Sequence, residues 1–153
     1  MGNQDCRRDI IYLIRHLSKL LQNDFDNRIN QYGITGQQAR ILFFVNHKTV
    51  LDNVEVHQND IENEFNLAKS TVNGLISRLE KKNFIIKQNK PPFSVITVSD
   101  KGKELIADLR EGRDNTIEKL FEGFNKEERE KILENVSKLL TNFEGGNEDV
   151  AKN

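Results

Sequence analysis

The chain has 153 residues, of which 36% are hydrophobic and 31% charged, with a formal net charge of −1. That is enough for one well-cored domain with helical extensions, and no run approaches the roughly 18 apolar residues of a membrane span. The single cysteine excludes an internal disulfide framework and suits a reducing cytosol, and Met1–Cys6 lacks the basic-then-apolar order of a secretory signal. A cytoplasmic protein without a membrane partner is expected.

The near-zero net charge conceals an uneven distribution. Residues 69–99 carry Lys69, Arg78, Lys81, Lys82, Lys87 and Lys90 against Glu80 alone. Residues 1–68 carry seven basic against nine acidic side chains, and residues 100–153 carry ten against fourteen. A basic block between acidic flanks is an electrostatic footprint for a polyanion that the whole-chain balance hides.

The first periodic segment runs from about Asp9 to Gln31. Ile10, Ile14, Leu17, Leu21 and Phe25 recur at helical spacing, and Leu13, Leu20 and Ile29 widen the stripe. Gly33 ends this amphipathic helix in a C-cap role. Thr35-Gly36-Gln37-Gln38 is a capping box, in which Thr35 accepts from the third helical amide while Gln38 reaches back. The helix it opens turns Ala39, Ile41, Leu42 and Val45 inward. Lys48–Val56 reads as a rather long connector, with a turn at Asp52-Asn53 and a very short strand at Val54-Glu55-Val56.

A short helix over Asn59–Phe65, a tight turn at Asn66-Leu67-Ala68 and a helix over Lys69–Lys82 come next. The apolar stripe of the last is Val72, Leu75, Ile76 and Leu79. Its other face presents Lys69, Ser70, Thr71, Asn73, Gly74, Ser77 and Arg78. Ala68 at the expected cap position has no side-chain acceptor, so Ser70 or Thr71 is a candidate N-cap as well as a candidate contact. Asn83 suits a left-handed residue after the helix. Phe84–Lys87 and Ser94–Val98 read as strands, with Asn89-Lys90-Pro91-Pro92 as the hairpin tip, since proline has no amide to give a ladder. Two helices close the chain. One starts near Ser99-Asp100 and carries Leu105, Ile106 and Leu109, then Ile117, Leu120, Phe121 and Phe124. The other opens at Asn125 with Glu128 three residues on, and carries Ile132, Leu133, Val136, Leu139, Leu140 and Phe143. Residues from Gly145 onward read as a frayed tail.

No glycine-rich phosphate loop, nucleophile elbow or HExxH metal motif occurs, and the pairs Glu62/Glu64 and Glu127/Glu128 read as solvated helix faces. His16, His47 and His57 are scattered without zinc-site spacing. No enzymatic activity, catalytic residue, metal or cofactor is expected. Cys6 has Arg7 and Arg8 beside it, which would lower a thiol pKa, but it precedes the apolar stripe and reads as part of an exposed N-terminus.

Two short helices joined by a tight turn, the second polar-faced and followed by a β-hairpin, make a winged helix-turn-helix plan. The fold class expected is mainly α with a small β-hairpin wing. A helix about 10–12 Å across fits a major groove about 12 Å wide. Short polar side chains on it reach base edges while Lys and Arg hold phosphates.

The sequence resembles the MarR (multiple-antibiotic-resistance regulator) family of transcriptional regulators over about residues 8–143. The resemblance is carried by Ile34-Thr35 with Gln38 and Ile41-Leu42, then by Gln58-Asn59-Asp60-Ile61. It continues through Ser70-Thr71-Val72 with Leu75-Ile76, Arg78-Leu79-Glu80-Lys81-Lys82-Asn83-Phe84-Ile85, and Val98-Ser99-Asp100-Lys101-Gly102.

This resemblance implies a single domain over 1–145, with the winged helix-turn-helix at 35–99, dimerisation helices at 8–32 and 100–143, and a flexible tail at 146–153. It implies a homodimer on pseudo-palindromic double-stranded DNA, a repressor, and commonly a small-molecule effector. The long apolar stripes of the terminal helices favour the dimer independently. The DNA contacts expected are Lys69, Ser70, Thr71, Asn73, Gly74, Ser77 and Arg78 on the recognition helix, with Lys87, Asn89 and Lys90 on the wing.

The wing departs from the family pattern. Family wings usually carry Asp-x-Arg near the tip, the Asp orienting an Arg into the minor groove. Here the tip is short and reads Gln88-Asn89-Lys90-Pro91-Pro92-Phe93-Ser94, without Asp or Arg. Lysine is a point charge without the planar fork that suits minor-groove insertion, so a weaker wing is expected. The same departure keeps a second class open, a winged-helix protein-interaction module with weakened or lost DNA binding.

Overall fold

The computed structural model describes residues 9–148, which places Cys6 and the end of the expected tail outside it. Contacts gather into two units, one ending at Asp114 and one beginning at Asn115.

In the first unit, helix α1 (Ile10–Asn30) starts at Asp9, whose carboxylate accepts from the Ile11 amide at 2.9 Å. Beyond its end Gly33 takes φ +64°. Helix α2 (Gly36–Asn46) opens with the capping box read from the sequence. The Thr35 amide donates to Gln38 Oε1 at 2.9 Å, and Thr35 Oγ1 accepts from the Gln38 amide at 3.3 Å. Such a cap contributes on the order of 1 kcal/mol. Ala39, Ile41, Leu42 and Val45 are fully buried.

Chain continuation past α2 corrects the expected connector. His47–Leu51 stays helical as a π turn rather than leaving the helix at Lys48. The Thr49 hydroxyl donates to the Val45 carbonyl at 2.7 Å, and the Asp52 amide reaches back to His47 O at 3.2 Å. A threonine bonding back onto its own helix loosens the regular ladder, which fits the wider turn seen here. Asn53 reverses the chain at φ +53°. The expected strand shrinks to one residue, Val56, bridged to Ile96.

Helix α3 (Gln58–Phe65) buries Ile61 and ends at Asn66, φ +49°, from which the chain enters helix α4 (Lys69–Lys81). Val72, Leu75, Ile76 and Leu79 seat α4 on the core. Asn83 takes the left-handed conformation expected of it, φ +62°, and turns the chain into strand β1 (Ile85–Lys90). β1 pairs antiparallel with β2 (Phe93–Val98) in the register Ile85↔Val98 to Lys90↔Phe93. Asn89 and Lys90 therefore belong to the ladder and not to the tip, which is Pro91-Pro92 alone. Proline stands where no ladder amide is needed, and pairing runs right up to it.

Ser99 caps helix α5 (Asp100–Leu120), its hydroxyl accepting from the Gly102 amide at 3.0 Å. At Gly102 a Cβ would strike the Phe84 carbonyl, so only glycine lets α5 start against the backbone that leads into β1. Leu105, Ile106 and Leu109 close the core, and Tyr32 on the far side of α1 donates to Asp108 at 2.8 Å.

In the second unit, Gly123 (φ +84°) turns the chain, and Asn125 and Glu128 form a second capping box at 2.8 and 2.9 Å. This opens helix α6 (Lys126–Glu148), which runs three residues beyond Gly145, where fraying was expected. Arg129 lies over the Phe121 ring at 5.4 Å and pairs with Glu118 at 3.1 Å.

Candidate nucleic-acid interface

The outward face of α4 is set by its inward one. With Val72, Leu75, Ile76 and Leu79 buried, the helical period turns Ser70, Asn73, Gly74, Ser77 and Arg78 to the opposite side. Lys69, Ser70, Thr71, Asn73, Ser77 and Arg78 are exposed, and Gly74 is half-exposed. The N-cap is Ala68, which gives no side-chain hydrogen bond, so neither Ser70 nor Thr71 is used as the cap.

Six cations of the basic block divide into two groups. Lys69, Arg78, Lys81 and Lys87 form no side-chain hydrogen bond or ion pair with any described residue. Lys82 and Lys90 are engaged. Lys82 donates to the Gly33 carbonyl, tying the end of α4 to the end of α1. Lys90 pairs with Glu55 on the connector. That hydrogen bond and the Lys90 charge hold the Glu55 carboxyl below its ordinary range.

The wing does not bring its three expected contacts together. Alternation along β1 puts Lys87 and Asn89 on the side of Ile85, opposite Ile96 and Ser94, and leaves Lys90 on the other side with Phe93. Lys87 is consequently half-buried against the core side, while Asn89 and Lys90 are exposed.

A residue absent from the expected set joins the site. The Gln58 amide donates to Glu62 at 3.1 Å and to the Lys69 carbonyl at 3.4 Å, bracing the start of α3 on the start of α4. Gln58, Ala68, Lys69, Ser70 and Asn73 line an open groove of about 660 Å³. Its sequence signal was a polar first residue on the helix preceding the recognition helix. That position follows from helix-turn-helix geometry and not from composition.

Among the described residues no helix is long and apolar enough to cross a membrane, and no cluster of three or more His, Cys, Asp or Glu is placed to hold a metal ion. The architecture is thus mainly helical, with a two-stranded antiparallel wing behind a helix whose polar face is open.

Comparison with known proteins finds similarity to one family of regulators. Residues 32–92, which hold α2, α3, α4 and the wing to its tip, match the model of the MarR family. The HTH-type transcriptional regulator BilQ of Clostridioides difficile is 29% identical over 139 residues, spanning 87% of this chain and 90% of that protein. The chain is similar to the MarR family over its helix-turn-helix and wing.

Solved MarR-family structures share its fold. MepR, a transcription regulator of the Staphylococcus aureus multidrug efflux pump MepA, superposes with a TM-score of 0.75 at 24% identity, over 88% of this chain and 98% of MepR. A MepR–DNA complex gives 0.74 at 24% identity, over 86% and 98%. YusO of Bacillus subtilis gives 0.77 at 17% identity, over 92% and 99%. The stretch that matches the family contains α3 and α4, which have the arrangement of a helix-turn-helix.

Proposed function

We propose that this protein binds double-stranded DNA sequence-specifically as a homodimer, laying one α4 in the major groove at each half of a pseudo-palindromic operator. The observation that carries this reading is the outward face of α4. It combines short polar side chains with the unpaired cations Lys69 and Arg78. Cations left without partners cost little to bring to DNA, Lys69 to a phosphate and Arg78 to a base edge, and the short hydroxyl and amide groups add to base discrimination. MepR, whose fold this chain shares, has been solved in complex with DNA.

Support for the dimer comes from each unit separately. α1 exposes Ile10, Leu13, Ile14, Leu17 and Leu20, and α6 exposes Leu133, Val136, Leu139, Leu140 and Phe143. Long contiguous apolar stripes are uncommon on monomers and mark interaction faces. Pairing through a twofold axis gives a symmetric operator, because half-site spacing mirrors protein symmetry. A dimer seated on a promoter blocks access to it, so repression follows. Responsiveness to a small-molecule effector rests on the resemblance to the MarR family, and a cytoplasmic location on the single cysteine, which suits a reducing compartment.

One observation favours the alternative of a protein-interaction module with weakened DNA binding. Lys90, the cation nearest the wing tip, is already held by Glu55, and the tip itself is Pro91-Pro92.

Selection of duplexes from a random library by the purified protein separates the two. Enrichment of an inverted repeat is expected. No enrichment over the starting library would leave the interaction module as the better account.

A further inference from the structure

We propose that Gly74 is a deliberate gap in the reading face of α4, left open so that the floor of the major groove can approach the helix backbone. The inference rests on the DNA-binding reading above and adds how deeply the helix seats.

A glycine inside a helix weakens it relative to alanine, so its presence asks for a local reason. Gly102 in α5 has one, since a Cβ there would strike the Phe84 carbonyl. Gly74 has none of that kind. A Cβ built there meets nothing within 4 Å, and the residue is not among those with positive φ. Among the described residues nothing forbids a side chain at this position.

The position itself supplies the reason. Gly74 lies on the outward side of α4, one turn from Ser70 before it and from Ser77 and Arg78 after it. Ser70 and Ser77 reach only a short way from the backbone. Their hydroxyls meet base edges only when the helix axis comes close to the groove floor. Asn73 and Arg78 extend further and flank the notch. A side chain at Gly74 would stand between the two serines and hold the duplex away from both. The gap therefore acts on specific recognition more than on phosphate attraction, which Lys69 and Arg78 exert over a longer range.

The test is a pair of substitutions measured on the duplex that the wild-type protein enriches, and on a random duplex of equal length. Because space is open, G74A should fold, and at fixed protomer concentration its Tm should rise by about 1–4 °C. Its Kd for the enriched duplex should rise at least about tenfold, as for loss of one good base contact, and G74L should bind more weakly still. Affinity for the random duplex should stay within about twofold, because the charges are unchanged. Stability and specific affinity would then move in opposite directions, which a purely structural glycine does not produce. If G74A binds the enriched duplex as tightly as wild type, or if its Tm falls, the gap has no such role. If the wild type enriches no duplex, the DNA-binding reading fails first and this inference with it, and the wild-type measurement alone identifies that case.

Discussion

Glu55 shows how one residue on a connector governs one on the wing. Its place beside the hairpin tip makes Lys90 a candidate phosphate contact, but its ammonium is shared with the Glu55 carboxylate. The lowered Glu55 pKa fixes the sign of the pH effect. The pair is intact above the ordinary carboxylate range and is lost only as pH falls through the depressed value, so it persists at neutral pH. A phosphate must then compete with a carboxylate for Lys90. Removing that competitor should help DNA binding. E55Q is expected to tighten binding by about two- to tenfold and to steepen the slope of log K against log salt by about 0.9, the signature of one added phosphate contact. Anisotropy titrations at several salt concentrations read both quantities, and an unchanged slope would place Lys90 away from the DNA. No local sequence rule couples positions 55 and 90, since their meeting depends on the π turn and on Asn53, and this is why the pair escaped a reading by periodicity.

Elements whose signals are local were legible in advance. Thr35 with Gln38, Asn125 with Glu128, and Asn83 before β1 are short-range devices, and each performs the role that its chemistry suggested. The amphipathic stripe of α4 likewise buried the four residues it named. The π turn was not legible, because Thr49 in a polar segment signals a loop and a back-bonding helix equally well. The hairpin was half legible. Two prolines located the tip, but how far Asn89 and Lys90 continued the ladder depended on pairing with Phe93 and Ser94.

The stripe of α6 makes its own claim at this scale. Leu140 is more than half exposed in the single chain, and burying a leucine contributes about 1.5–3 kcal/mol. Twofold symmetry counts the residue twice. L140E should therefore raise the dimer dissociation constant by at least about tenfold. Light scattering at micromolar concentration is expected to give a dimer mass for the wild type, and a wild-type monomer would remove the dimer from the account.

At the scale of the whole molecule, a basic block between acidic flanks pointed to a polyanion before any fold was considered. The fold then sorted that block by use: Lys82 braces α4 against the end of α1, Lys90 is held by Glu55, and Lys69, Arg78, Lys81 and Lys87 have no side-chain partner among the described residues. Composition counts charges but does not say which are already committed, so the candidate site was legible as a region and its division of labour was not.

The central claim is that the outward face of α4 reads duplex DNA, and Arg78 is its most exposed test. It stands without an ion-pair partner, and neither Gly74 nor Lys82, one turn away on either side, is acidic. The deciding measurement is the affinity of R78A for the enriched duplex, beside wild type and at one salt concentration. A loss of about 1–3 kcal/mol, with relaxed preference at one base position, is the predicted result for a base contact. Affinity and preference both unchanged would contradict the account.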